Sequence, residues 1–136
     1  MPTTRLLLVE DDQDSLDLFV MWLSGKYCVF SYRCPLDAVN ALETARPDLL
    51  ILDIGIGPLD GVQCLKAIRA VPGYDSIPAI ALTGYARDDE QEAFRAAGFQ
   101  AVLTKPVLDD ALLGAVAAVL APLREQRSPQ ASISAG

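Results

Sequence analysis

No histidine occurs among the 136 residues. Ser-His-Asp and Cys-His catalysis are thereby excluded, and the commonest zinc ligand is gone as well. Positive charge is scarce: 11 Lys and Arg against 18 Asp and Glu leave a net charge of −7. Such a chain offers no basic surface for nucleic-acid phosphates. No apolar run approaches the roughly 20 residues that a spanning helix requires, and the N-terminus has no signal-peptide pattern. No membrane attachment is expected, and the cytoplasm is the expected location. The three cysteines, Cys28, Cys34 and Cys64, form no CxxC pair, and their odd number suits reduced thiols better than a disulfide framework. They are expected to act as small buried or half-buried hydrophobes.

What is present is a globular composition, 51% hydrophobic and 21% charged, with enough chain for one real core. Apolar runs alternate with stretches of helical period. "RLLLV" (5–9) reads as a buried strand, followed by Leu16, Phe19, Val20 and Leu23 at helical spacing between an Asp12 N-cap and Gly25. "YCVFSY" (27–32) is strand-like, and Pro35 opens a helix with Ala38, Leu42 and Ala45 on one face. "LLIL" (49–52) shows no polar alternation, so both faces of that strand should be covered.

Val62, Leu65 and Ile68 mark a third helix, entered through Asp60-Gly61 as turn chemistry. "AIAL" (79–82), a charged helix over 87–97 ended by Gly98, and "QAVL" (100–103) follow. A last helix over 108–120 has Ala111, Leu112, Ala115, Val116 and Val119 available for packing. Residues 1–123 are expected to form one domain, and 124–136 a polar, disordered tail. Five strands alternating with five helices predict a doubly wound α/β fold with a five-stranded parallel sheet.

In such a fold the site lies beyond the carboxyl ends of the strands. The polar residues there are Glu10-Asp11-Asp12, Asp53, Thr83-Gly84 and Thr104-Lys105-Pro106. Clustered carboxylates repel one another and call for a hard cation, for which Mg²⁺ with oxygen ligands is the natural candidate. A neutralised Asp53 can attack phosphorus and form an acyl phosphate. Mg²⁺, Lys105, and the Thr83 hydroxyl or the Gly84 N–H can then take the three phosphoryl oxygens. The Gly55 carbonyl is a further candidate metal ligand. Asp12 is better read as a helix-start acid, and the 87–95 charges as a solvated helix face.

"LLVEDD", "PDLLILDIGIGPLDG", "IPAIALTGYA" and "LTKPV" stand in the order and spacing of one family. Over roughly residues 5–120 the chain resembles a receiver domain of bacterial two-component response regulators, CheY-like and of single-domain type. The resemblance implies a flavodoxin-like receiver fold, with Asp53 as phosphoacceptor, Asp11 as direct Mg²⁺ ligand and Glu10 acting on the metal through water. Thr83 and Lys105 match the switch and phosphate-contact positions, and a cis Lys105-Pro106 bond is implied. The implied activity is Mg²⁺-dependent uptake of a phosphoryl group, with slow self-catalysed hydrolysis. The donor is a phosphohistidine on a histidine kinase or histidine phosphotransfer protein. A downstream protein of unknown identity would read the result. The 87–95 helix, the last strand and the last helix form the implied partner surface, and a homodimer through the same region is compatible with it.

Three features depart from the family pattern. Gly57 stands where relatives usually have proline, with Pro58 after it, and Val102 occupies the place of an aromatic switch residue. Tyr85, two residues after Thr83, either shields the phosphoryl group or covers apolar surface. Two other readings compete with a phosphorylated switch. A pseudo-receiver would be an interaction module that never takes phosphate. An aspartate-nucleophile phosphatase would need a second acid two residues after the nucleophile, where Gly55 stands. A dinucleotide site is set aside because "EDDQDS", not a glycine-rich loop, follows the first strand. Met1 and the short tail favour a free-standing protein over a receiver cut from a hybrid kinase.

Overall fold

The computed structural model describes residues 4–54, 60–84 and 87–127, with side chains as far as residue 122. Five strands alternate with helices: β1 (Arg5–Val9), β2 (Cys28–Tyr32), β3 (Leu49–Asp53), β4 (Ala79–Thr83) and β5 (Ala101–Thr104). The helices are α1 (Gln13–Leu23), α2 (Pro35–Asn40), α3 (Leu42–Ala45), α4 (Gly61–Arg69), α5 (Asp88–Ala96) and α6 (Asp109–Arg127). All neighbouring strands pair in parallel, in the order β2-β1-β3-β4-β5. The chain leaves β1 first to one side and then to the other, which places a switch point between β1 and β3.

Continuous apolar strands are what a sheet covered on both faces requires. Leu6, Leu8, Leu49, Ile51, Ile80 and Leu82 face Leu16, Phe19 and Leu23 of α1 and Leu112, Val116 and Leu120 of α6. The alternate positions Leu7, Val9, Leu50, Leu52, Ala79 and Ala81 face Ala38, Leu42, Cys64, Leu65 and Ile68 on the helices of the other side. Each fully buried Leu or Ile contributes about 1.5–3 kcal/mol. A rigid sheet centre of this kind can hold polar side chains still at its edge. Ala111, although apolar, is exposed on α6. No helix among the described residues is long and apolar enough to cross a membrane.

The helix expected from Pro35 to Ala45 is two pieces. Ala41 sits at ψ 5°, and the turn around it is held by Ala41 N–H to Ala38 O and Thr44 N–H to Ala41 O, both three-residue bonds. Arg46 then takes a left-handed φ of 43° ahead of Pro47 and ends the segment. At its other limit the chain stays helical longer than its apolar pattern suggested. α6 runs to Arg127 with Pro122 inside it; proline is the poorest helix residue, but Leu123 to Arg127 beyond it are all good helix formers.

Gly98 closes α5 in a Schellman turn, with its own N–H on Arg95 O at 3.0 Å and Phe99 N–H on Phe94 O at 3.3 Å. Its φ of +115° suits glycine, and a Cβ there would collide with the Arg69 guanidinium. That guanidinium cannot easily withdraw, because it donates to Ile77 O at 2.8 Å and Gly98 O at 3.0 Å, tying α4 to the loops before β4 and β5. Desolvation lowers its pKa from the ordinary arginine value. Gly98→Ala should therefore cost about 3 kcal/mol, read as a lower urea midpoint at constant m-value. The loss should be smaller in an Arg69→Ala background, where the blocking group is gone.

Candidate functional site

Among the described residues, three polar or charged side chains are fully buried: Glu10 at 0% exposure, Asp53 at 3% and Thr83 at 0%. All three stand at the carboxyl edge of the sheet, at or just past the ends of β1, β3 and β4. Burying such groups costs several kcal/mol unless something repays it, so their convergence points to a site. Lys105, one residue beyond β5, supplies a counter-charge. Its Nζ lies 2.9 Å from Asp53 Oδ2, to which it donates, and 3.0 Å from Glu10 Oε1. The Lys105–Pro106 peptide bond is cis, as the resemblance implied.

Glu10 is more deeply placed than a surface acid. Its Oε2 accepts from the Asp12 N–H at 3.0 Å, which fixes the turn into α1. Its Oε1 is buried and makes no hydrogen bond; the contact to Lys105 is an ion pair without hydrogen-bond geometry. Asp11, by contrast, is exposed, and Arg33 at the end of β2 donates to its carbonyl at 3.1 Å. Oxygens of Glu10, Asp11 and Asp53 all lie within 4.8 Å of one another. One wholly buried oxygen that makes no hydrogen bond, in a set made only of carboxylates, fits a hard divalent cation. Asp12 caps α1, accepting from the Ser15 hydroxyl at 2.8 Å and the Ser15 N–H at 2.9 Å, and these two bonds, the hydroxyl's first, lower its pKa.

Burial pushes the Asp53 carboxyl up to about 7, and the neighbouring Glu10 adds to this while Lys105 opposes it. Burial of the Lys105 ammonium works against its charge, but Asp53 and Glu10 outweigh that and hold its pKa above the ordinary lysine value. The edge is therefore a place where a carboxylate is held partly against its will. A cation or a phosphoryl group changes that balance strongly.

Asp53 pairs with Leu82 in the sheet, and Ile54 N–H returns to Leu82 O at 2.7 Å, which puts Thr83 one residue beyond the level of Asp53. Gly84 is exposed, and a Cβ built there meets nothing within 4 Å, so the space beside Thr83 is open. A cavity of about 440 Å³ lined by Ser15, Leu18, Phe19, Trp22, Lys105, Pro106 and Val107 adjoins the lysine. Val102 is half-buried and packs on the apolar cluster opposite α1. Gly55, Gly57, Pro58 and Tyr85 lie outside the described residues.

The Asp60-Gly61 pair both opens α4 and meets the backbone of Asp53. Asp60 is the N-cap of α4, in a capping box with Gln63, as turn chemistry demands. Gly61 does more. A Cβ on it would lie 2.7 Å from the Asp53 carbonyl oxygen and 2.6 Å from Ile54 Cδ1, so α4 starts directly against the backbone of Asp53. Gly61→Ala should destabilise the fold by about 1–3 kcal/mol. By moving Asp53 it should also slow phosphoryl uptake at least roughly tenfold. Phosphoryl uptake at full rate in a folded Gly61→Ala chain would refute the positioning role.

The family model of the response regulator receiver domain matches residues 6–117. A 14.6 kDa protein in the sodA1 3′ region of Leptolyngbya boryana is 35% identical over 103 residues, 75% of this chain and 79% of that protein. The polar-differentiation response regulator DivK of Brucella ovis is 29% identical over 107 residues, 77% of this chain and 86% of DivK. Among solved structures, the chemotaxis protein CheY4 of Vibrio cholerae superposes with a TM-score of 0.80 at 24% identity, over 86% of this chain and 98% of that one. A CheY-like receiver domain protein from Methanospirillum hungatei gives a TM-score of 0.78 at 26% identity, over 90% and 98%.

Proposed function

Since the chain belongs to the response regulator receiver family and works in phosphorelay signal transduction, we propose that Asp53 is its phosphoacceptor. Support comes from the convergence of buried Glu10, Asp53 and Thr83 with Lys105 at one sheet edge. The family works with kinases or phosphotransfer proteins. In this proposal the donor carries a phosphohistidine, since this chain has no histidine of its own.

Glu10, Asp11 and Asp53 would hold Mg²⁺. Bound Mg²⁺ would favour the ionised form of Asp53 and offset the negative charge of the phosphoryl oxygens. An Asp53 carboxylate oxygen attacks phosphorus; the new O–P bond forms as the N–P bond to the donor imidazole breaks, and the imidazole leaves with the electron pair. Lys105, already 2.9 Å from Asp53 Oδ2, orients the nucleophile and remains to neutralise a phosphoryl oxygen. The Thr83 hydroxyl and the Gly84 N–H are assigned to another oxygen, in the open space beside Gly84. Burial of Asp53 limits water, which makes hydrolysis slow relative to uptake. Phosphorylation then shifts a population between two arrangements of the Thr83 region, and partner binding follows. The proposed setting is the cytoplasm.

The test is intact mass after incubation with Mg²⁺ and acetyl phosphate. One phosphoryl group per chain, dependent on Mg²⁺, is expected. Many turnovers of donor would indicate a phosphatase, and an unchanged mass a pseudo-receiver.

A further inference from the structure

Val102 is half-buried on β5 and has no ring and no polar atom, so it makes no side-chain hydrogen bond between the sheet and the helices. α5 is the least anchored helix described, with no fully buried side chain, and elements of that kind have the lowest local stability. Its Phe94 is half-buried against the apolar cluster. Its half-buried Gln91 donates from Nε2 to Thr104 Oγ1 on β5 at 3.5 Å, the outer limit of a hydrogen bond.

Thr104 is tied to the acceptor site in two ways. It is the register partner of Thr83, and paired residues of parallel strands project to the same face of the sheet. It also directly precedes Lys105, whose N–H donates to Thr83 O at 2.7 Å and whose Nζ holds Asp53.

We infer that Thr104 and Gln91 carry the phosphorylation signal from the acceptor edge to α5, in place of the aromatic residue that Val102 replaces. The inference rests on Asp53 being the phosphoacceptor. A phosphoryl group on Asp53 draws the Thr83 hydroxyl and the Lys105 ammonium towards it. Thr104, beside the first and bonded to the second, shifts with them. The long Gln91 bond has room to shorten, and α5 is thereby drawn onto β5. Both residues are positioning residues and neither touches the phosphoryl group.

The experiment is hydrogen–deuterium exchange over residues 88–96 in the full chain, with and without Mg²⁺ and acetyl phosphate, each sample checked by intact mass. In the unaltered chain, phosphorylation should slow exchange across α5 at least threefold. Gln91→Leu should take up one phosphoryl group as before and lose that difference. Thr104→Val should behave alike, and Thr104→Ser, which keeps the hydroxyl, should retain the response. A mere loss of stability would act on both states and cancel in the difference. Phosphorylated Gln91→Leu with the full α5 response would overturn the inference, as would a phosphorylated unaltered chain whose α5 does not respond. A chain that gains no mass would instead reveal failure of the acceptor reading, and the inference would fall with it. Should Thr104→Val not take up phosphate, Gln91→Leu, on a separate element, decides the matter.

Discussion

Asp53→Asn should gain no phosphoryl group from acetyl phosphate and, in the metal-free protein, should be more stable than the unaltered chain. The two results have one cause. Asp53 is 3% exposed, and its burial beside Glu10 pushes its carboxyl from 3.8 up to about 7. A carboxylate with a raised folded-state pKa binds its proton more tightly when folded. Its contribution to stability is therefore complete below about pH 4 and is lost as pH rises through about 7. Asparagine has the same shape and no such charge to desolvate. With EDTA present, the stability gap between variant and unaltered chain should widen from pH 4 to pH 8, by an amount on the order of 4 kcal/mol. Urea unfolding across that range measures it, and a gap independent of pH would contradict the buried-acid account. The ionised carboxylate is held at a cost to the fold, which a cation bound beside it would offset.

Lys105→Ala should separate chemistry from metal binding. Among the described residues, its ammonium is the cation that touches both buried acids, 2.9 Å from Asp53 and 3.0 Å from Glu10. In the proposed role it stabilises a phosphoryl oxygen, so without it uptake from acetyl phosphate should slow on the order of 100-fold. The same ammonium competes with a divalent ion for the same carboxylates, so Mg²⁺ should bind the variant more tightly. Trp22 lines the cavity that Lys105 also lines, and its fluorescence can follow the titration. Equal losses in uptake and in Mg²⁺ affinity would mean that the residue acts by holding the fold together, not by its charge at the site.

Most of the architecture was legible in the order of residues because each element carries its own signal. Leu49 to Leu52 can be covered only on both faces, and Leu16, Phe19 and Leu23 only on one face of a helix, whatever their neighbours do. Asp12 capped the helix its position predicted. The break at Ala41 was not legible, since alanine favours helix and the tightened turn depends on how two short pieces pack against the sheet.

Strand order follows the same division. An alternation of strands and helices implies a parallel sheet, and carboxylates at the ends of its strands imply a cation or phosphoryl chemistry, because local pattern and charge repulsion suffice for both conclusions. Three matters depended on how distant segments meet. Glu10 lies deeper than Asp11, with one oxygen left without a hydrogen bond. Lys105 bridges both buried acids rather than one. Gly61 lacks a side chain because the backbone of Asp53 occupies that space. Burial, pairing and close approach are properties of the packed chain, in which residues dozens of positions apart share a few ångströms, and no local pattern encodes those distances.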